Sequence, residues 1–170
     1  ELERHRQQHK EKVKASGGSL TITSILVKAV AKLLQNYPIF NSSIDTSNNR
    51  IIYRKYIDVG VAIDTERGLV VPAVRSADKK TITEISATIR EISQQAREKK
   101  LSSWDLEGAG FTVSNLGSLG LSAIFPIVNW PQVAILGVAS SSEEPRYIAN
   151  QLYQRLILPV TLGFDHRLVN

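Results

Sequence analysis

From Thr81 to Lys100 the sequence TITEISATIREISQQAREKK spaces Ile82, Ile85, Ile89, Ile92 and Ala96 alternately three and four residues apart. That period draws one apolar stripe along a helix and leaves its other faces charged. A helix of this kind must bury its stripe, and the segments around it supply a sheet to receive it. Val59, Val61 and Ile63 alternate with Gly60, Ala62 and Asp64, and Glu66, Arg67 and Gly68 read as a turn into LVVPAV, which predicts a hairpin. GFTVSNLG, QVAILGVAS and LYQRLILPVTLGF are further strand-like runs, and the last is long and β-branched enough to be expected at the sheet centre. The expected class is α+β, with helices covering one side of a mixed sheet.

Upstream, ELERHRQQHKEKVK reads as a surface helix offering only Leu2 and Val13 to a core. ASGGS is a flexible break, and TSILVKAVAKLLQNYP is expected as a buried helix capped by Thr23 and stopped before Pro38. RIIYRKY is a short β run, and SSWDLEG gives a helical turn with Ser102 as its cap. His5 and His9 share a helix face at the spacing a metal pair uses, but no carboxylate or cysteine framework accompanies them, so no metal is expected.

At 170 residues the chain is expected to form one domain, burying about two thirds of the surface its unfolded form exposes. Its 42% apolar and 22% charged residues are those of a globular protein. The absence of cysteine excludes disulfides, thiolate metal sites and a cysteine nucleophile. There is no methionine and the first residue is Glu1, so the expectation is a catalytic domain, residues 1–170, truncated at both ends. No uninterrupted apolar run of about 18 residues occurs, and the net charge of +5 is scattered among acids, which reads as a solvated surface rather than a nucleic-acid patch.

With cysteine absent, chemistry falls to histidines, hydroxyls and carboxylates. Only His166, in GFDHRLVN, follows a strongly apolar strand, where burial would hold it neutral and oriented. An imidazole of ordinary pKa ~6.5 can take a proton from a thiol near ~8.5 when the two are held in contact. A lone histidine is more often structural than catalytic, so it needs partners. Asn170, four residues on, offers an amide able to donate and accept as a brace. FTVSNLGSLG, residues 111–120, ends a strand in Ser114 and Asn115 and continues into a loop with Gly117 and Gly120. Such a loop can host a ligand or be an ordinary glycine turn. Ser114 lacks the G-x-S-x-G setting of a nucleophile, but its hydroxyl can donate to an oxyanion, an interaction worth ~3 kcal/mol in a transition state. The spacing allows acyl transfer without demanding it.

FDHRLVN resembles the signature of acyltransferase components of 2-oxo acid dehydrogenase complexes, DHR followed by two apolar residues, Asp or Asn, and Gly. FTVSNLGSLG is similar to that family's FT-I/V-S/T-N-L-G loop, and DVGVAIDTERGLVVPAVRSADKKTITEI to its central block. NYPIFNSSID and IVNWPQVAILGV match in order, so the resemblance covers roughly residues 20 to 170. It implies a chloramphenicol acetyltransferase-like fold and homotrimers whose active-site channels run between subunits, assembled into a cubic or dodecahedral core. His166 is then the base that activates coenzyme A, and Ser114 the oxyanion donor, supplied by a different subunit. Asn115 and Gly117 become candidate substrate-binding residues, and Asn170 a brace where most members carry Asp. The acyl donor is a lipoyl group on a separate swinging domain, with acetyl favoured as the acyl group. The implied partners are a 2-oxo acid decarboxylase and dihydrolipoamide dehydrogenase, and the implied compartment is the cytoplasm of a bacterium or the mitochondrial matrix or plastid of a eukaryote. Two other readings stay open: a non-catalytic core component that binds a partner subunit, and an acetyltransferase acting on a small free acceptor.

Overall fold

The computed structural model describes residues 1–66 and 68–169; Arg67, in the expected hairpin turn, and Asn170, the expected brace, lie outside the described residues. Helix α1 (Leu2–Ala15) buries Val13 alone, and Arg6 ties it to the following segment by donating to Glu3 and to the Leu20 carbonyl. The Arg6 hydrogen bonds to its carboxylate, and then that from Gln7, lower the Glu3 pKa to about 2. Helix α2 (Ile22–Asn36) begins earlier than its composition suggests. Thr21, not Thr23, is its cap: the Thr21 hydroxyl accepts from the Ser24 N–H, and the Ser24 hydroxyl accepts from the Thr21 N–H. A serine at the third helical position completes that reciprocal pair, whereas Thr23 is occupied elsewhere. The helix stops at Asn36, before Pro38, and buries Val27, Val30, Ala31 and Leu34.

Two short strands, β1 (Ser42–Asp45) and β2 (Arg50–Tyr53), form an antiparallel hairpin. Next come β3 (Val59–Val61), β4 (Ile63–Thr65), β5 (Gly68–Val70) and β6 (Ala73–Val74). β4 and β5 pair across the expected turn, and β3 pairs with β6. Helix α3 (Ile82–Arg97) carries the apolar stripe, capped by Thr81 with Glu84 in return, and buries Ile85, Ile92 and Ala96. After the turn α4 (Ser103–Leu106), capped by Ser102, the chain enters β7 (Phe111–Asn115), β8 (Ala134–Val138), β9 (Ser142–Ile148), β10 (Gln151–Ile157) and β11 (Val160–Phe164).

The main sheet is mixed, in the order β11-β8-β7-β3-β6, with β3, β7 and β8 parallel and the two edges antiparallel. Its centre is β7, not the long C-terminal run. LYQRLILPVTLGF splits at Leu158 and Pro159: β10 leaves to pair only with β9 in an exposed ribbon, and β11 takes the sheet edge. A proline has no N–H for a ladder on both sides, so a strand running through it cannot lie in the middle of a sheet.

Because side chains alternate along a strand, the sheet has two differently covered faces. Val59, Val61, Phe111, Val113 and Ala134 face α2 and α3 and form the core with them. The opposite face holds Gly60, Thr112, Ser114 and Gly137. There an irregular segment, residues 121–133, lies close enough that a Cβ on Gly137 would stand 2.9 Å from Ile124 and 3.0 Å from Pro126.

A partly buried ion pair locks the strand ends to α4. Arg75 donates to Asp58 (2.8 Å) and to the Trp104 carbonyl, and its guanidinium lies 4.5 Å from the Trp104 ring centre; Asp58 also accepts from the Ser76 N–H (2.7 Å). Removing the carboxylate would leave a cation and a backbone donor without their partner. Asp58→Ala is therefore expected to lower unfolding free energy by about 3 kcal/mol, read from urea midpoints; a loss below about 1 kcal/mol would mean that water already screens the pair.

Candidate active site

Ser114 is the fourth residue of β7, buried to 7% exposure on the sheet face away from the helices. Its Oγ makes no hydrogen bond among the described residues. Although the residue is largely buried, this unbonded Oγ is open to solvent and so available to a ligand atom.

The loop after Ser114 is fixed from both sides. Asn115 points to the helix face, where its Nδ2 donates to Thr23 Oγ1 (2.9 Å), and its Oδ1 accepts from the Gly117 N–H (2.9 Å). Ser140 Oγ donates to the Gly117 carbonyl (2.6 Å). Asn115 and Gly117, the candidate substrate-binding residues, thus spend these groups holding the loop in shape. Gly117 opens a short 3-10 turn, and Gly120 ends it at φ 73°, a left-handed conformation suited to glycine. Thr23 and Ser140 belong to this support, and reading the sequence alone missed both. The Asn-x-Gly spacing is the one local signal, since asparagine closes such turns on its own side chain.

His166 stands in a tight turn after β11. The Asp165 N–H donates to the Val133 carbonyl (2.8 Å), and the Leu168 and Val169 N–H groups donate back to the Asp165 carbonyl. On either side of the histidine, Arg167 grips the Asp165 carboxylate through Nε (3.0 and 3.1 Å), Nη2 (2.6 Å) and its backbone N–H (3.0 Å). Arg167's side-chain hydrogen bonds, then its backbone N–H, hold that carboxyl below the ordinary aspartate range. The imidazole itself makes no hydrogen bond among the described residues and lies against the Phe164 ring, centroids 4.7 Å apart. It is exposed, contrary to the expectation that its strand would bury it. The reason is topological: β11 is an edge strand, and its end projects past the sheet.

Register separates the two candidate groups within one chain. Ser114 pairs with Gly137, and Gly137 with Thr161. From Thr161 the strand runs antiparallel, away from the Ser114 end, before reaching His166. The separation is roughly 15 Å along the strand and two interstrand steps of about 4.8 Å across it. A base and an oxyanion donor serving one reacting centre must both lie within about 3 Å of it. One copy of the chain cannot bring them together.

A mixed sheet backed by α2 and α3, with a free serine hydroxyl near one end and a displayed histidine at the other, has the fold of the chloramphenicol acetyltransferase-like acyltransferases. A chloramphenicol acetyltransferase structure matches over 94% of this chain and 74% of its own, with TM-score 0.58 and 16% identity, a likeness of fold alone. Within that class the whole chain, residues 1–170, matches the family described as 2-oxoacid dehydrogenases acyltransferase (catalytic domain), and it belongs to that family.

The chain is similar to the cubic core of a pyruvate dehydrogenase multienzyme complex, with TM-score 0.96 and 43% identity over 99% of this chain and 70% of that one. It is also similar to Azotobacter vinelandii dihydrolipoamide acetyltransferase, with TM-score 0.96 and 41% identity at the same coverage, a structure described as addressing the roles of a serine, a histidine and an asparagine in that enzyme's catalytic mechanism. The dihydrolipoyllysine-residue acetyltransferase component of the pyruvate dehydrogenase complex of Haemophilus influenzae is 49% identical over 154 residues, 91% of this chain and 27% of that relative. The chain thus spans about a quarter of the length of this relative.

Proposed function

We propose that the domain transfers an acyl group, with acetyl favoured, from S-acyldihydrolipoamide to coenzyme A. The observation that carries this reading is the pairing of the unbonded, accessible hydroxyl of the largely buried Ser114 with an unbonded, displayed His166 imidazole. The serine, histidine and asparagine named for the Azotobacter enzyme are spaced in its sequence as Ser114, His166 and Asn170 are in this one.

His166 takes the proton of the coenzyme A thiol, and the thiolate attacks the thioester carbon. The carbonyl electrons move onto oxygen, which accepts a hydrogen bond from Ser114 Oγ. Collapse of the tetrahedral species re-forms the carbonyl and breaks the bond to the dihydrolipoyl sulfur, which leaves as a thiolate and takes the proton from the imidazolium. No covalent acyl-enzyme is needed, in keeping with the absence of cysteine. Thr23, Asn115, Gly117 and Ser140 hold the serine loop, the Asp165–Arg167 grip holds the histidine turn, and Asn170 serves as a brace.

The separation of Ser114 from His166 calls for a second copy, and a homotrimer within a larger core is the assembly we infer. Phe125, Ile127 and Trp130 support it: residues 121–133 turn Ile124 and Pro126 onto the sheet and leave these three outward, at 84% exposure or more. Apolar surface of that kind is ordinarily covered by a partner. The acyl donor, carried on a lipoyl domain, and the decarboxylase and dihydrolipoamide dehydrogenase components are the proposed partners.

The test is to supply the full-length protein with S-acetyldihydrolipoamide and coenzyme A and follow acetyl-CoA, with branched-chain acyl donors alongside. Acetyl-CoA formation is the expected result. A protein that assembles but forms no acyl-CoA from any donor would be a structural core component instead.

A further inference from the structure

The hydrogen bond from Thr112 Oγ1 to Gln132 Oε1 (2.6 Å) is the one side chain to side chain bond, among the described residues, that joins two buried residues, at 1% and 7% exposure. Thr112 lies in the middle of β7, opposite Gly60 of β3 and Ile135 of β8, so ladders on both sides hold its backbone. Gly60 leaves room for the hydroxyl, since a Cβ there would stand 3.0 Å from Thr112 Oγ1. Gln132 belongs to the irregular segment that leads into β8, and its N–H closes a turn on the Asn129 carbonyl (2.9 Å). The bond therefore pins a segment without regular structure to the best-held strand of the sheet.

That segment carries the histidine turn. The ladder between β8 and β11 ends at the pair Ala134 and Phe164. Past it the Asp165 N–H donates to the Val133 carbonyl (2.8 Å), and the backbone bonds from Leu168 and Val169 return to Asp165 itself. The Val133 carbonyl is thus where the turn hangs from the sheet. Gln132 adjoins Val133 on one side of this contact, and His166 adjoins Asp165 on the other. The grip of Arg167 on Asp165 is internal to the turn, so it sets the shape of the turn and not its place against the sheet.

We infer that Gln132 is a positioning residue for His166: anchored on Thr112, it fixes the Val133 carbonyl, and through that contact the place of the imidazole in the reaction. This rests on the acyl-transfer reading. Displacing a reacting group by about 1 Å can cost on the order of a hundredfold in rate even when the altered residue is remote from the chemistry. Thr112 also precedes Ser114 by two residues on the same sheet face, so the test has to tell which of the two groups the bond serves.

In the full-length protein, Gln132→Leu and Thr112→Val are each expected to lower kcat for acetyl transfer about tenfold with KM nearly unchanged, and Thr112→Ser, which keeps the hydroxyl, to retain wild-type kcat. Refolded mixtures of Ser114→Ala and His166→Ala chains identify the group that moves. Gln132→Leu placed on the Ser114→Ala chain, which supplies the histidine, should lower the recovered activity about tenfold; placed on the His166→Ala chain, which supplies the serine, it should leave that activity as it was. Equal losses in the two mixtures would make Gln132 structural, and a loss confined to the serine-supplying chain would assign the bond to Ser114; either result overturns the proposal. Hydrogen exchange stands apart from turnover: the Asp165 amide should exchange about tenfold faster in Gln132→Leu and in Thr112→Val than in wild type, and an unchanged rate in both would also overturn it. Failure of the wild-type protein to form acetyl-CoA while that exchange still quickens would count against the acyl-transfer reading alone.

Discussion

An equal mixture of Ser114→Ala and His166→Ala chains, denatured and refolded together, is expected to recover about a quarter of wild-type acetyl transfer, although each variant alone is nearly inactive. The expectation follows from register. Ser114 is level with Gly137 and Thr161, and β11 then runs away from it to His166, so under the proposed mechanism each working site would take its serine from one copy and its histidine from another. In a randomly mixed cyclic trimer, a site is intact when the serine-bearing chain and the histidine-bearing neighbour happen to meet. Were both groups supplied by one chain, no mixture would restore activity. The measurement is specific activity against mixing ratio, and a flat line at the level of the separate variants would defeat the shared-site geometry.

His166→Ala on its own should reduce kcat for acetyl transfer by about a thousandfold while leaving stability within about 0.5 kcal/mol. The two halves of that statement have separate causes. Proton transfer from a thiol loses its base, but the imidazole is exposed, makes no hydrogen bond among the described residues, and touches the Phe164 ring alone among the aromatic contacts. The turn is held by Asp165, Arg167 and backbone groups that the substitution leaves in place. Wild-type turnover in this variant would remove His166 from the mechanism. A large fall in thermal midpoint would assign it to the fold instead.

The helices were legible in the sequence because their signals are local. The three-four spacing of Ile82, Ile85, Ile89, Ile92 and Ala96 is a property of one segment, and so is the cap at Ser102. The cap of α2 was misread for an equally local reason: Thr21 and Thr23 both suit the role, and the choice falls to the partner at Ser24. The placement of LYQRLILPVTLGF was misread because composition reports how well a segment forms a strand, not which strand it will lie beside.

By itself the sequence determined that the chain folds as helices on a mixed sheet, that Ser114 and Asn115 end one strand ahead of a glycine-containing loop, and that His166 follows another within a family signature. Those facts depend on periodicity, turn chemistry and residue identity, all of which act over a few positions. Only the tertiary structure decided that β7 is the sheet centre, that β11 is its edge, that Asn115 braces the loop through Thr23 and Gly117, and that serine and histidine stand at opposite ends. Strand order and direction are fixed by packing between segments far apart in the chain, chiefly the burial of Val59, Phe111 and Val113 against α2 and α3. No local pattern carries that information; the second copy that the family resemblance implied gained its physical reason only when the strands were in register.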